Sequence, residues 1–407
     1  MRRLSLPFLA AFCLLAIPYT IEAQPATKTQ SVNQPVVSAK EAAADKAARD
    51  AEAARILAER RTQARSLLLS LAADARNFSD QMLRARTQAR VADALWDADP
   101  ERARALFRSA WDAAELADRE GQERLQEDIR QAKAKTGGGY AVTTPPDLRR
   151  EVLRLAAKRD RALGEELLGK FKTQKEQEET EAKKTRPGPF GNADDEVRQR
   201  LDLARQLLEA GDTERALQFA DPVLGVVGVP AIDFLSYLRE KNPAAADQRY
   251  AAMLANAATS PQSEANTVSL LSSYLFTPHV FIAFVSGGTY TTSSGGSHEL
   301  PAVAPELRLA FFRAASSILL RPLAPPGEEQ TSSGHDGEYL VIKRLLPLFE
   351  QYAPQEMTTA LRAQLEALSG LASRGTRERD DDEWVSKGIG PEKPAADREQ
   401  ALMDQID

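Results

Sequence analysis

Four stretches of this chain share one plan. LWDADPERARALF, LLEAGDTERALQFA, YLREKNPAAADQRYAAM and EQYAPQEMTTALRAQL each end an apolar helix at a short polar corner and open another. Behind the corners come Ala103 and Phe107, Ala216 and Ala220, Ala246 and Tyr250, and Met357 and Leu361, each pair one helical turn apart. A small residue there lets paired helices approach, and a larger one a turn later fills the gap. A chain built this way folds by stacking helices.

The rest of the sequence fits that plan. Residues 39–78 consist almost wholly of strong helix formers. The first half has mostly alanine on any buried face and reads as a solvated helix or weak coiled coil. From Ile56 onward come real anchors, Leu57, Leu67, Leu68, Leu69 and Leu71. Ser79 is the expected cap of the next helix. Asp99-Pro100 places a capping acid before a proline at the first helical position, and Ala103, Phe107, Ala110, Trp111 and Leu116 then follow on one helical face. TGGGYAVTTPP, residues 136–146, must be a loop. The charged run from Lys172 to Glu196 breaks at Pro187-Gly188-Pro189 and reads as an exposed helix end plus linker; the other reading is a segment that orders on a partner.

The N-terminus points to export. Arg2 and Arg3 precede an uncharged apolar stretch, Leu4 to Ile17, then Pro18 and Ile21-Glu22-Ala23. That order is a secretory signal peptide, with cleavage expected between Ala23 and Gln24. The apolar core is shorter than the roughly 20 residues needed to span a bilayer. Cys13 is the chain's one cysteine, so cleavage removes it, and with it any disulfide, thiolate nucleophile or cysteine-ligated metal.

These signals give an all-α chain, an irregular array of helix hairpins with long loops behind a signal peptide. The expected divisions are a signal peptide over 1–23, a flexible leader over 24–38, a helical section over 39–186 and a linker over 187–193. A second helical section covers 194–372, with loop insertions at 286–300 and 322–337, and a polar acidic tail covers 373–407. The net charge of −6 becomes −7 once Arg2, Arg3 and Glu22 leave, which gives no electrostatic reason to expect nucleic acid as a partner.

Catalytic patterns are missing. No G-x-S-x-G elbow, P-loop or dinucleotide fingerprint is present, and no cofactor is expected. Asp380-Asp381-Asp382 lacks the spacing of a calcium loop and reads as a solvated acidic run. His298 and His335 lie in loops flanking the 300–320 helix. They read as solvated loop histidines; their convergence with nearby acids would make a metal site, and with it a metal-dependent hydrolase.

The remaining candidate is the segment from Ala265 to His298, which contains no Asp, Glu, Lys or Arg. Pro278, His279 and several hydroxyls interrupt it as a membrane span. Its first part suits a buried helix, VFIAFV a short strand or irregular core segment, and the Gly/Ser/Thr stretch a loop. Tyr274, Phe276, Phe281, Phe284 and Tyr290 are concentrated here, and with His279 they form the candidate binding surface. The competing reading is a core segment sealing one end of the array, and burial of these rings decides between the two.

The corner over 207–224, LLEAGDTERALQFADPVL, resembles the tetratricopeptide repeat. Leu203, Ala204 and Leu207 match its first helix, Gly211-Asp212 its turn and Ala216 the alanine opening its second helix. Ala220 stands where a bulky residue is usual, and no proline falls at the expected end. The capping acids Asp99, Asp160 and Asp212 are 61 and 52 residues apart, so the repeat is degenerate. VADALWD, PAIDFLSYLREKNPAAADQRYAAML, NTVSLLSSYLFTPH and KRLLPLFEQYAPQ further resemble segments of large secreted helical proteins of acidobacteria-type bacteria, a family with no assigned activity. The secreted-protein resemblance implies export and helicity; helix hairpins without a catalytic constellation point to a non-enzymatic helical scaffold of the cell envelope for a protein or peptide partner. A purely structural envelope role is the bland alternative.

Overall fold

The computed structural model describes residues 39–136, 143–179, 195–285, 288–297, 299–300, 302–325 and 331–377. The expected signal peptide, leader and linker and most of the expected tail fall outside these. Of the described residues 76% are helical, in 14 helices, with one two-stranded sheet. Residues up to Gln63 form one unit and those from Ala64 onward another. The first contains most of α1 (Ala39–Ala75), where Ile56 and Leu57 are exposed.

In the second unit, short corners fold the chain into helix pairs. α2 (Gln81–Leu95) packs on α3 (Pro100–Thr136), α4 (Leu148–Arg159) on α5 (Arg161–Glu179), and α6 (Asp195–Glu209) on α7 (Thr213–Ala220). α4 also packs on α2, α3 and α6, so successive pairs stack. The expected small and large positions are spent on these contacts. Ala103, Phe107, Ala216, Ala220, Ala246 and Tyr250 are all fully buried. At Gly164 the approach is so close that a Cβ would lie 2.7 Å from the Phe219 ring and 2.9 Å from the Ala157 Cβ.

Each corner has a local cause. Leu207 and Leu208 carbonyls at the end of α6 accept from the amides of Asp212 and Gly211 at 2.9 and 3.0 Å, and Gly211 takes a φ of +86°. That left-handed residue suits glycine, which has no Cβ to clash. Asp212 then accepts from the Arg215 amide and caps α7. Asp99 does the same for α3 through the Arg102 amide, and Asp160 for α5 through the amides of Ala162 and Leu163. At α2 the cap is Asp80, which accepts from the Leu83 amide; the Ser79 expected from the sequence is one residue early.

α8 (Val229–Lys241) pairs with α9 (Pro243–Thr259), and α6 joins α8 to the preceding pairs. Then α10 (Ala265–Phe276) leads into β1 (Val280–Val285) and β2 (Gly288–Ser293), followed by α11 (Pro305–Leu319), α12 (Gly334–Tyr352), α13 (Gln355–Ser369) and α14 (Arg374–Arg377). The strands are antiparallel, with Ile282 opposite Thr291 and Phe284 opposite Thr289. The loop expected over 286–300 is thus corrected: its TYTTS portion is the second strand. Its β-branched and aromatic residues suit a pleated surface once β1 supplies a partner.

A buried strand has two edges, and β1 uses β2 for one. The other is satisfied by side chains of α10. Asn266 accepts from the Phe284 amide at 2.8 Å and donates to the Phe284 carbonyl at 2.9 Å, while Ser269 donates to the Ile282 carbonyl at 2.7 Å. This explains the hydroxyls and amides of an otherwise apolar segment. They complete a sheet edge where water has no access.

The same region buries a charge. Arg344 of α12 is 5% exposed, donates to the Ser269 and Ser272 hydroxyls at 3.1 Å each, and leaves its Nε without an acceptor. No carboxylate among the described residues meets it. Burial pushes the guanidinium down to about 9, so the group is still charged at neutral pH. For a base with a depressed folded pKa, the cost to stability is present in full below that value and is relieved as pH rises through it.

Two stability measurements test this account by chemical denaturation. Asn266→Ala removes both of its hydrogen bonds to the Phe284 backbone in the core and is expected to cost about 2–4 kcal/mol. Arg344→Met keeps the side-chain length, removes the unpaired charge and is expected to stabilise the fold at pH 7 by about 1–3 kcal/mol.

Candidate functional site

The expected aromatic surface is not on the outside of the fold. Tyr274, Phe281, Phe284 and His279 are each at most 1% exposed. Phe276 is partly buried against the rings of Phe311 and Phe312, with centroids 5.7 and 6.1 Å away. Of the six candidate residues only Tyr290 is well exposed, at 48%. The segment forms core. Four rings with no accessible face offer a partner no contact, and this corrects the expectation of a common binding surface.

His279 is nonetheless unusual. It adopts a φ of +61°, the one non-glycine residue in the left-handed region among those described. Its side chain anchors the turn. Nδ1 lies 2.9 Å from Asp233 of α8, Nε2 lies 3.5 Å from Glu240 two turns further along the same face of α8, and the Tyr237 ring packs edge-on at 4.5 Å. The Ser294 hydroxyl donates to the same Asp233 oxygen. A serine, a histidine and an aspartate therefore meet, but not as a relay. Nucleophile activation needs the imidazole between carboxylate and hydroxyl. Here hydroxyl and imidazole converge on one carboxylate oxygen, and the other ring nitrogen faces Glu240. The cluster latches the exit of β2 to α8.

His335 is 7% exposed at the start of α12, so it is a core side chain and not the solvated loop residue expected. His298 lies outside the described residues, so its convergence with His335 is not described. Among the described residues no three His, Cys, Asp or Glu side chains are grouped to hold a metal ion.

The open concavity lies elsewhere, at the helix corners. Trp96 at the end of α2, Arg104 of α3, Arg159 at the end of α4, Asp160 to Ala162, Glu165 of α5 and Arg215 of α7 line a groove of about 570 Å³. Three successive corners thus contribute to one surface, because each pair turns at the same edge of the stack. The Trp96 ring is held by Phe107, with centroids 6.4 Å apart, and by the Arg104 guanidinium 5.2 Å from its centroid.

The charges in this groove do not balance. Asp160 accepts from Arg104 Nε at 2.8 Å, and Glu165 takes both terminal nitrogens of Arg200 at 2.7 and 2.8 Å. Burial raises the Asp160 carboxyl, but the hydrogen bonds from Arg104 and the two capping amides outweigh it and leave the pKa below 3.8. Arg159 is held by Asp93 at 2.5 Å. Among the described residues Arg161 and Arg215 have no carboxylate partner, and Arg215 donates to the Gln218 side chain at 3.1 Å. A smaller cleft of about 250 Å³ between α4 and α6 differs on this point. There Arg150 pairs with Asp147 at 2.8 Å and Arg198 with Asp195 at 3.5 Å.

Sequence reasoning found the capping acids of this edge but not its arginines. The available signal was an arginine shortly behind each acid, in DPERAR, DRAL and DTERAL: Arg104 in the second turn of α3, and Arg161 and Arg215 in the first turn of their helices. A cation there runs against the helix dipole, so it is not explained by helix stability. No protein-family model, curated protein or solved structure matches the chain.

Asp160 is both a cap and an ion-pair partner. Its lowered pKa means that this stability is present above the ordinary carboxylate value of 3.8 and is lost as pH falls through the folded value. Asp160→Asn keeps the cap, because asparagine caps as well as aspartate, and loses the ion pair with Arg104, so it is expected to cost about 0.5–1 kcal/mol at pH 7. The gap between variant and parent closes on acidification, which thermal melts across a pH series would read.

Proposed function

We propose that this chain is an exported, non-enzymatic helical-repeat scaffold of the cell envelope, tetratricopeptide-like in style, that holds a protein or peptide partner. The observation that carries the reading is the groove to which three successive corners contribute. Stacked hairpins bring equivalent positions to a common edge, so an extended surface grows with the stack. The buried state of the aromatic segment moves the proposed docking face from 265–298 to this edge.

Export is supported by the order of charge, apolar core and small residues before Gln24. No helix among the described residues is long and apolar enough to cross a membrane. A mature chain without cysteine relies on its core for stability, and the continuous cluster from Ala72 to Ala372 supplies one.

The test is biochemical. Mass spectrometry of the protein recovered from the cell envelope is expected to give an N-terminus at Gln24, and purified mature chain is expected to bind a component of envelope extract saturably. Retained Met1 would remove the export reading. Absence of any saturable partner would favour a purely structural envelope role, and stoichiometric zinc or manganese in the purified protein would replace the scaffold with a metal-dependent one.

A further inference from the structure

We infer that the corner groove takes an acidic, extended segment of a partner protein, with partner carboxylates on Arg161 and Arg215 and an apolar side chain against Trp96. The inference rests on the scaffold reading and names the chemistry of its partner.

Charge complementarity decides the ligand class. Both acids that line the groove are already committed, Asp160 to Arg104 and to the α5 cap, and Glu165 to two nitrogens of Arg200. The two cations left over are Arg161, which is exposed at the first residue of α5, and Arg215 of α7. They come from neighbouring helix pairs, so a ligand that satisfies both must run along the stack from one corner to the next. An extended peptide does this, and guanidinium groups present the paired donors that carboxylates accept. Trp96 adds a half-buried aromatic side chain at one end, in contact with Phe107 and the Arg104 guanidinium. Aromatic and arginine side chains of this kind anchor protein interfaces.

Other anions fit less well. A nucleic-acid strand brings a charge at every step, more than two cations can meet, so the net charge of −6 opposes it more strongly than a segment with two or three carboxylates. A small free anion fills little of about 570 Å³ of open groove, whereas small ligands favour enclosed pockets. A segment with a few carboxylates separated by apolar residues matches both the two free cations and the tryptophan.

The probe is a fluorescein-labelled peptide of sequence Ala-Asp-Leu-Ala-Glu-Leu-Ala-Asp, titrated by the full mature chain and followed by fluorescence anisotropy. Saturable binding is expected that weakens with added salt and falls about tenfold or more in the double variant Arg161→Glu, Arg215→Glu. Circular dichroism and melting of that variant should match the parent, since an acid in the first turn suits the helix dipole. A peptide with lysine in place of every acid should not bind. Equal affinity for the double variant and the parent overturns the inference, as does complete displacement by millimolar inorganic phosphate, which would mark a plain anion site. Its failure is separable from that of the scaffold reading. If envelope extract yields a saturable partner that the double variant captures equally well, the scaffold stands and the groove chemistry falls. If the acidic peptide binds as expected but no envelope partner is found, the groove chemistry stands and the scaffold role falls.

Discussion

Close approach of helices is the constraint on which this structure depends. Ala103, Ala216 and Ala246 are completely buried one turn before Phe107, Ala220 and Tyr250. A larger side chain at any of the first three would hold the helices apart and leave the second set without contacts. Gly164 is the extreme case, since even a methyl group there would collide with Phe219 and Ala157. Once the helices are this close, the corners between them must be short. Short corners need a residue that both ends one helix and caps the next, and Gly211-Asp212 does so in two residues.

Stacking then decides where charges meet. Arg104 to Asp160, Arg108 to Glu166, Arg159 to Asp93 and Arg200 to Glu165 each join helices from different pairs. Asp118 of α3 likewise accepts from the Leu148 and Arg149 amides and fixes the start of α4. Such half-exposed ion pairs contribute modestly one by one. They also select one stacking register over its neighbours, because each requires a particular pair of turns to face. Within the corner groove, Arg161 and Arg215 are the cations that no ion pair among the described residues uses.

The C-terminal half solves a different problem. A two-stranded sheet placed among helices would bury an unpaired edge, and α10 completes it with Asn266 and Ser269. The same helix carries the hydroxyls on which Arg344 rests. This polar lining was visible in the sequence only as serines in an apolar run. An apolar run with hydroxyls reads equally well as an exposed recognition surface, because the sequence does not say which backbone groups lie opposite. His279 is similar: its left-handed backbone and its contacts with Asp233 and Glu240, more than 35 residues away, leave no local pattern.

By itself the sequence determined the helical class, most corners and many of the residues buried behind them, though Met357 is only half-buried and the expected anchors Leu57, Leu67, Leu71 and Leu116 are exposed. Those features follow from local rules of capping, helical period and side-chain size, which act within a few residues. The second strand, the burial of Tyr274, Phe281 and Phe284, and the groove between corners were decided only by the tertiary structure. Each depends on which distant segment arrives as a neighbour: β1 for TYTTS, the packed helices for the aromatic rings, and three separate hairpins for the groove. Charge balance is of the same kind. Arg104 and Arg161 each follow a capping acid, and only the stacking of hairpins gives one of them a partner and leaves the other without.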